Sequence, residues 1–332
     1  MKKILITGNK GYVGVLLCEL LKKNDHYVKG VDINWFTKKK QNIEFVDDQL
    51  NFSIDKLENK HFKDVDCVVH LAAISNDPMS EKFKTETYEV NFHQSKKLYN
   101  LAKKNNVKKF IFASSCSLYG FANNSLKSEK CACNPLTNYS KTKFLFEKFL
   151  NKKEDNVEKV ILRFGTAAGV SNNFRLDLAI NNLIYSGIKN NIIKVMSNGK
   201  PFRPFIDTED MCRSIIYFVE SKLTRKKNTY NIGINKNNIQ VLELAKLISK
   251  KLDIPYEVNA FAADDKRTYK VNFNKIKKES TKLIRKFKSI ERIVDELIVF
   301  MKSKKFQPGK INFRLEYCLL YTSDAADDSL RV

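Results

Sequence analysis

The sequence predicts an α/β chain: a doubly wound parallel sheet with a smaller C-terminal α/β lobe. Three observations carry this. Short β-rich runs alternate with helical patterns over the first half of the chain. The glycine-rich turn Gly8-Asn9-Lys10-Gly11-Tyr12-Val13-Gly14 directly follows the apolar run Ile4-Leu5-Ile6-Thr7. After about Ala168 the strand–helix rhythm loosens, as expected where a second lobe takes over. The expected division is residues 1–168 for the sheet domain and 169–306 for the lobe, with some chain crossing back.

The elements follow in order. The first strand spans residues 4–7, and a helix starts near Tyr12 with Leu16, Leu17, Leu20 and Leu21 on one face. A second strand spans 27–32 and closes on Asp32. Further strands are expected at 67–71, 110–113 and 160–164, with helices at 81–106 and 139–150 between them. In the lobe, helical patterns fall at 176–187, 209–221, 241–252 and 290–301. No internal repeat is visible.

The glycines point to a ligand. In a strand-to-helix turn, Gly8 permits the tight bend, Gly11 lets the backbone approach a pyrophosphate, and Gly14 lets the helix pack close to the strand. The helix N-terminus then offers free N–H groups and partial positive charge to phosphates. Asp32 lies about twenty residues on, where an acid accepts from both hydroxyls of the adenosine ribose. This is the Rossmann-type dinucleotide site. A carboxylate at Asp32 repels a 2′-phosphate, so NAD is favoured over NADP, with Lys38, Lys39 and Lys40 as the residues that would rescue a 2′-phosphate.

A second segment carries chemistry. Tyr139 and Lys143 are four apart in a helical stretch and share a face. Tyrosine has a pKa of about 10, so a tyrosine base at neutral pH needs a fall of roughly 3 pH units, about 4 kcal/mol. A neighbouring lysine ammonium and a positive nicotinamide ring are the expected sources. Just upstream, Ser114 and Ser115 end a strand and place hydroxyls at the sheet's C-terminal edge.

Composition bounds the alternatives. The formal net charge is +23, but the lysines are spread throughout and form no compact Arg-rich patch. No aromatic–basic ribonucleoprotein pattern is present, so nucleic acid is not expected as a partner. No apolar run is long enough to span a bilayer, and Met1-Lys2-Lys3 leads straight into a strand with no signal peptide. The seven cysteines are scattered, and Cys131-Ala132-Cys133 lacks metal-ligand spacing and a second pair. The expectation is a cytoplasmic protein with reduced thiols and no metal. The tail from Cys318 to Val332 departs from the Lys/Asn/Ile-rich body; its reverse translation resembles a transposase adapter used in sequencing libraries. Residues 318–332 are therefore expected to be non-native and unpacked.

Taken together, Thr7–Gly14, His70-Leu71-Ala72-Ala73, Val90-Asn91, Ser114-Ser115-Cys116-Ser117-Leu118-Tyr119-Gly120, Tyr139-x-x-x-Lys143, Leu162-Arg163-Phe164 and the stretch from Arg203 to Asp210 resemble the extended short-chain dehydrogenase/reductase family, in its nucleotide-sugar epimerase/dehydratase branch. The resemblance covers roughly residues 1–303. It implies that Asp48 contacts the adenine, that Leu71, Ala72 and Ala73 line the cofactor cleft, and that Asn91 holds its helix near the active site. It implies Ser115 as the hydroxyl that hydrogen-bonds the reacting oxygen, Tyr139 as the base, and Lys143 as the residue that orients the nicotinamide ribose. Arg203 and Arg267 match substrate-pyrophosphate clamps, and Asn181, Ser75 and Ser117 are placed on the substrate side. Relatives pair through two long helices, here 81–106 and 139–150, so a homodimer is expected.

Two departures matter. Family 4,6-dehydratases place an Asp–Glu pair directly after the catalytic Ser/Thr, where this chain has Cys116 and Ser117. Thr166-Ala167-Ala168-Gly169 also lacks an aromatic that relatives often carry before the glycine. The leading expectation is an NAD-dependent nucleotide-sugar epimerase acting at C4 through a transient 4-keto sugar. The alternatives are an NAD(P)H-dependent nucleotide-4-keto-sugar reductase and a dinucleotide-binding protein without catalysis.

Overall fold

Strands with apolar residues on both faces need cover on both faces, and this fixes the architecture. A computed structural model describes residues 1–37, 45–121, 125–222, 227–259, 261–262 and 267–319; Lys38, Lys39, Lys40 and 320–332 lie outside the described residues. Seven strands form the main sheet: β1 (Lys3–Thr7), β2 (Tyr27–Val31), β3 (Asp48–Leu50), β4 (Cys67–His70), β5 (Lys109–Ser115), β6 (Glu158–Phe164) and β7 (Lys227–Ile232). Their order is β7-β6-β5-β4-β1-β2-β3, and every pairing is parallel. The order reverses beside β1, so a crevice opens at the C-terminal ends of β1 and β4, where ligands bind in open α/β sheets.

Strand alternation sorts the core into two layers. Ile4, Ile6, Val69 and Ile111 face one side and pack with Leu17, Leu21, Ile215 and Phe218. Leu5, Val68, Phe110 and Phe112 face the other and pack with Tyr99, Phe146 and Leu150. A third core fills the lobe, where Ile180 and Ile184 meet Leu244, Ile248, Val294 and Leu297.

The lobe grows from the sheet's C-terminal edge. Phe202–Asp207 lies between Thr166–Ala168, which runs parallel to it, and Asn238–Gln240, which runs antiparallel. The chain then crosses back: Thr208–Glu220 joins the core beside Gly14–Lys23, and β7 completes the edge of the main sheet.

Several boundaries differ from expectation. The expected helix at 81–106 is a run of pieces: Asp77–Lys82, Lys84–Tyr88, a π-helical stretch Glu89–Gln94 and Ser95–Lys104. It starts earlier because Asn76 caps it, accepting from Met79 N at 2.8 Å, with Pro78 in the first turn. It breaks at Phe83, whose φ of −113° and ψ of 62° leave the helical region. The edge strands β3 and β7 escape the periodicity because both are short or polar. The tail boundary also shifts: residues 314–319 are helical and Cys318 is buried, so packing continues past the expected limit. Among the described residues, no helix is long and apolar enough to cross a membrane.

Candidate active site

The glycine turn is shaped by backbone collisions. Gly8 sits at φ +74°, and a Cβ there would lie 2.7 Å from Ala72 N. A Cβ on Gly14 would lie 2.2 Å from Gly8 O and 2.7 Å from Asn9 Cα, so the helix start presses directly on the turn. Gly11 is different: the nearest atom to its Cβ position is Gly8 O at 3.1 Å, and the rest of that side is open. The chain thus keeps a cradle that a side chain would fill, at the N-terminus of Gly14–Lys23. That arrangement fits a pyrophosphate.

The cradle's neighbours agree with this. Leu71, Ala72 and Ala73 follow β4 and border the turn, with Leu71 N donating to Thr7 O at 3.1 Å. Thr7 Oγ1 and His70 Nδ1 lie 2.7 Å apart, and His70 Nε2 is 2.8 Å from Ser95 Oγ. Burial pulls the His70 pKa down to about 3, so the imidazole is neutral and serves as a cross-brace. Asp32 stands at the end of β2, accepting from Lys10 N at 3.1 Å and Asn34 N at 2.9 Å. Burial raises its pKa against those hydrogen bonds.

Asp48 is engaged by a lysine of the neighbouring strand. It pairs with Lys29 Nζ at 2.9 Å on the face of β3 away from the glycine turn. Because strand side chains alternate, the next residue, Gln49, faces the turn instead and accepts from Asn9 Nδ2 at 2.7 Å. On this strand it is Gln49, and not Asp48, that touches the glycine turn.

The second half of the site hangs on one helix. Asn138–Asn151 is capped by Thr137, and its inner face carries Tyr139, Lys143 and Glu147. Glu147 anchors it: Arg163 donates through Nε and NH2 at 3.1 and 2.6 Å, Arg163 NH1 donates to Tyr119 OH at 3.0 Å, and Tyr119 OH donates to Asn231 Oδ1 at 2.7 Å. A buried charge pair satisfied on this many sides fixes the helix against β5, β6 and β7. From the other direction, Asn91 clamps the loop after β4 through both its amide groups on Ile74, at 2.9 and 3.0 Å, and donates to Thr142 Oγ1 at 3.3 Å. Ser115 ends β5, and its hydroxyl approaches Tyr139 closely enough to favour the phenolate.

On the chain's own groups alone, burial and not the lysine sets the protonation of the pair. Burial, and then the Asp77 carboxylate, push the Tyr139 pKa up to about 12, against Ser115 and the Arg175 guanidinium. Lys143 does not offset this. Its ammonium donates to Ala113 O at 2.8 Å and lies 5.9 Å from the Tyr139 ring centre. Burial pushes the Lys143 pKa down to about 7. Desolvation outweighs the lysine's field, and the chain's own groups leave Tyr139 a neutral phenol.

Beside Tyr139 a small cavity is lined by Asp77, Ser117, Thr137, Ser140, Arg203 and Arg267. Here the structure brings together three of the expected substrate-side residues from distant segments. The Arg203 guanidinium lies 5.5 Å from the Tyr269 ring centre, and Arg267 NH1 donates to Asp77 Oδ2 at 2.8 Å. Ser117 Oγ is shielded and has no hydrogen-bond partner among the described residues. Asp77 is held from its other side by Thr137 Oγ1, which donates to it at 2.8 Å.

Asn181 belongs elsewhere. It is fully buried on the inner face of Ala179–Asn190 and donates to Arg175 O at 2.8 Å and Tyr12 OH at 3.3 Å, so it braces the lobe and does not line the cavity. Ser75 accepts from Arg175 NH1 at 2.9 Å, outside the cavity lining.

One residue of the site escapes sequence reasoning. Asp77 does not: the stretch Ser75-Asn76-Asp77-Pro78 reads either as a loop facing the sugar or as a simple Asx turn, and in the structure Asn76 caps the helix while Asp77 lines the cavity. Arg175 is buried and doubly paired with Asp177 at 2.9 and 2.6 Å. An Arg and an Asp two apart within Phe174-Arg175-Leu176-Asp177-Leu178 was the available signal for a buried pair.

Comparison with known proteins agrees with this geometry. The family model described as "NAD dependent epimerase/dehydratase family" matches residues 4–233. The uncharacterized UDP-glucose epimerase YtcB of Bacillus subtilis (strain 168) is 31% identical over 261 residues, 74% of this chain and 81% of that protein. The UDP-glucose 4-epimerase of Lactobacillus helveticus is 27% identical over 280 residues, 76% of this chain and 83% of that protein. Among solved structures, the NAD dependent NDP-hexosamine 5,6-dehydratase TunA, involved in tunicamycin biosynthesis, aligns with a TM-score of 0.82 at 19% identity, covering 92% of this chain and 99% of that one. That last likeness concerns the fold.

Proposed function

The chain belongs to the NAD dependent epimerase/dehydratase family, and we propose that within it the protein is a nucleotide-sugar epimerase acting at sugar C4. NAD, when bound in the glycine-turn cleft, supplies a reversible hydride acceptor for the sugar carbon. The chain's own residues do the rest. Tyr139, a neutral phenol on the chain's own groups alone, would act as the phenolate where the positive nicotinamide charge lowers its pKa; it would then take the proton of the C4 hydroxyl and later return it, with Ser115 hydrogen-bonding the same oxygen. Lys143 orients the nicotinamide ribose from the inner face of the helix. Arg203 and Arg267 hold the substrate's diphosphate at the cavity beside Tyr139. The same reading has the protein working in the cytoplasm as a homodimer, paired through the helical run at 77–104 and Asn138–Asn151.

One observation carries the choice of reaction. Eliminating water from the sugar requires an acid and a base near C5 and C6. At the two positions after Ser115, Cys116 is fully buried with its thiol 3.1 Å from Arg163 O and its pKa pushed well up by burial. Ser117 contributes a neutral hydroxyl. This supports proton chemistry concentrated on one oxygen, which suits reversible oxidation at one carbon. The two curated relatives named as UDP-glucose epimerases favour the same reaction and a UDP-hexose substrate.

The test is to incubate the purified protein with UDP-, GDP- and dTDP-hexoses, following absorbance at the NADH band and the sugars by chromatography. Interconversion of two sugars with no net NADH change is expected. Stoichiometric NADH consumption with a 4-keto sugar, and no epimer from any fully reduced sugar, would replace this reading with the ketoreductase.

A further inference from the structure

The end of the described chain returns to the dinucleotide site. After Ile290–Lys302 the backbone runs across the lobe, and residues 309–319 lie over the loop that follows Asp32. Asn312 fixes the approach: its Nδ2 donates to Phe174 O at 2.7 Å, and its carbonyl accepts from Leu176 N at 2.9 Å. Arg314 then sits 96% buried. Its NH1 donates to Phe36 O at 3.2 Å and its NH2 to Asn173 Oδ1 at 2.7 Å. The guanidinium also lies 4.2 Å from the centre of the Phe36 ring, and the Tyr317 ring packs on the same ring at 6.0 Å.

Asn173 completes the join. Its Nδ2 donates to Phe36 O at 3.0 Å and to Lys10 O at 2.5 Å, and Lys10 belongs to the glycine turn. Lys10 N in turn donates to Asp32. Three segments therefore meet at one guanidinium: the loop after Asp32, the lobe loop at 171–177 and the strap at 309–319. The described part of the first, residues 33–37, borders the cleft beside the glycine turn, where the adenosine half of a dinucleotide would lie. A buried arginine held by a planar fork and a ring stack is an expensive group to keep unless its position is used. Burial, and then the Arg175 guanidinium, pull the Arg314 pKa down to about 9, against the Asp177 and Asp32 carboxylates.

We propose that Arg314 is a cofactor-positioning residue, and that the strap at 309–319 is a third wall of the dinucleotide site that retains the adenosine half of NAD. The strap acts through Phe36 and Asn173, holding the Asp32 loop against the glycine turn. The direct hydrogen bonds of Arg314, to Phe36 O and Asn173 Oδ1, lie on the Asp32 side of the cleft. The proposal rests on the NAD site and not on the choice between epimerase and reductase.

The test uses the full chain and calorimetry with NAD, AMP and nicotinamide mononucleotide, together with melting curves. Arg314→Ala should weaken NAD and AMP by the same factor, about tenfold or more, and leave nicotinamide mononucleotide unchanged. Arg314→Lys keeps the charge and loses the fork, so it should fall between the wild type and Arg314→Ala, and it serves if the alanine variant does not fold. Unchanged or tighter NAD binding in a folded Arg314 variant would overturn the proposal. So would equal weakening of all three ligands, which would mean a general loosening of the fold.

Discussion

The two ends of the cleft are built by different means. At the glycine turn the specificity is made by backbone: what matters is where a Cβ is missing, and the contacts of Gly8, Gly11 and Gly14 lie within a single turn and its nearest strand. At the other end the cavity is made by side chains from separate segments, with Asp77, Ser117, Arg203 and Arg267 meeting around it. A backbone-made site tolerates side-chain variation nearby but not an added methyl. A side-chain-made site is the reverse: it can be retuned one residue at a time, and its electrostatics depend on what the fold brings alongside. Tyr139 shows this, since the carboxylate that raises its pKa comes from a helix start sixty-two residues away in sequence.

The contrast can be broken most forcefully at Tyr139. Removing its hydroxyl in Tyr139→Phe should lower turnover by about 10²- to 10⁴-fold, the usual worth of a general acid–base group. NAD affinity should stay within a factor of two or so, because the glycine turn is untouched. Near-normal turnover with the true substrate would show that another group is the base.

Gly14→Ala tests the other end. The new methyl would meet Gly8 O and Asn9 from 2.2 Å, and all the opposing atoms are backbone or α-carbon. Overpacking of this kind costs about 1–3 kcal/mol, and here the upper part of that range is expected. The melting temperature and NAD affinity should fall together. A variant that binds NAD as tightly as the wild type would mean that the turn is softer than its contacts indicate.

The smallest effect sharpens the comparison. Asp77 raises the Tyr139 pKa, so Asp77→Asn should lower it. A base works in its deprotonated form, and the rate falls as pH drops through its pKa. The acidic limb of the kcat/KM profile should therefore move to lower pH in Asp77→Asn, while NAD affinity stays constant. A limb that moves to higher pH, or does not move, would remove Asp77 from the electrostatics of the base.

How far the molecule was legible in its sequence follows the same division. The glycine turn, β1, β2 and the Tyr139–Lys143 face depend on residues close in sequence, and their spacing reveals them. Asp48 and Gln49 mark the limit: on so short a strand, spacing does not say which of the two touches the glycine turn, and the structure gives that contact to Gln49. Asn181 looked like a polar group free for a ligand, yet the lobe core uses it to hold Arg175 and Tyr12. Lys143 was expected beside the phenol and instead spends its ammonium on Ala113 O, so of the two sources expected to lower the Tyr139 pKa the nicotinamide charge carries the larger share. Burial and long-range neighbours decide such cases, and neither is written in local spacing. Arg314 stood in a stretch with no periodic signal, next to a tail expected to be foreign.

The central claim is that a single sugar carbon is oxidised and restored within one site. The most direct measurement is to supply a UDP-hexose deuterated at C4 and to follow the label by NMR in both epimers. The account predicts that deuterium remains at C4 of the substrate and of its epimer, with no solvent hydrogen at C3 or C5 and a flat NADH band. Loss of the label to solvent, or incorporation of solvent hydrogen at C3 or C5, would contradict it.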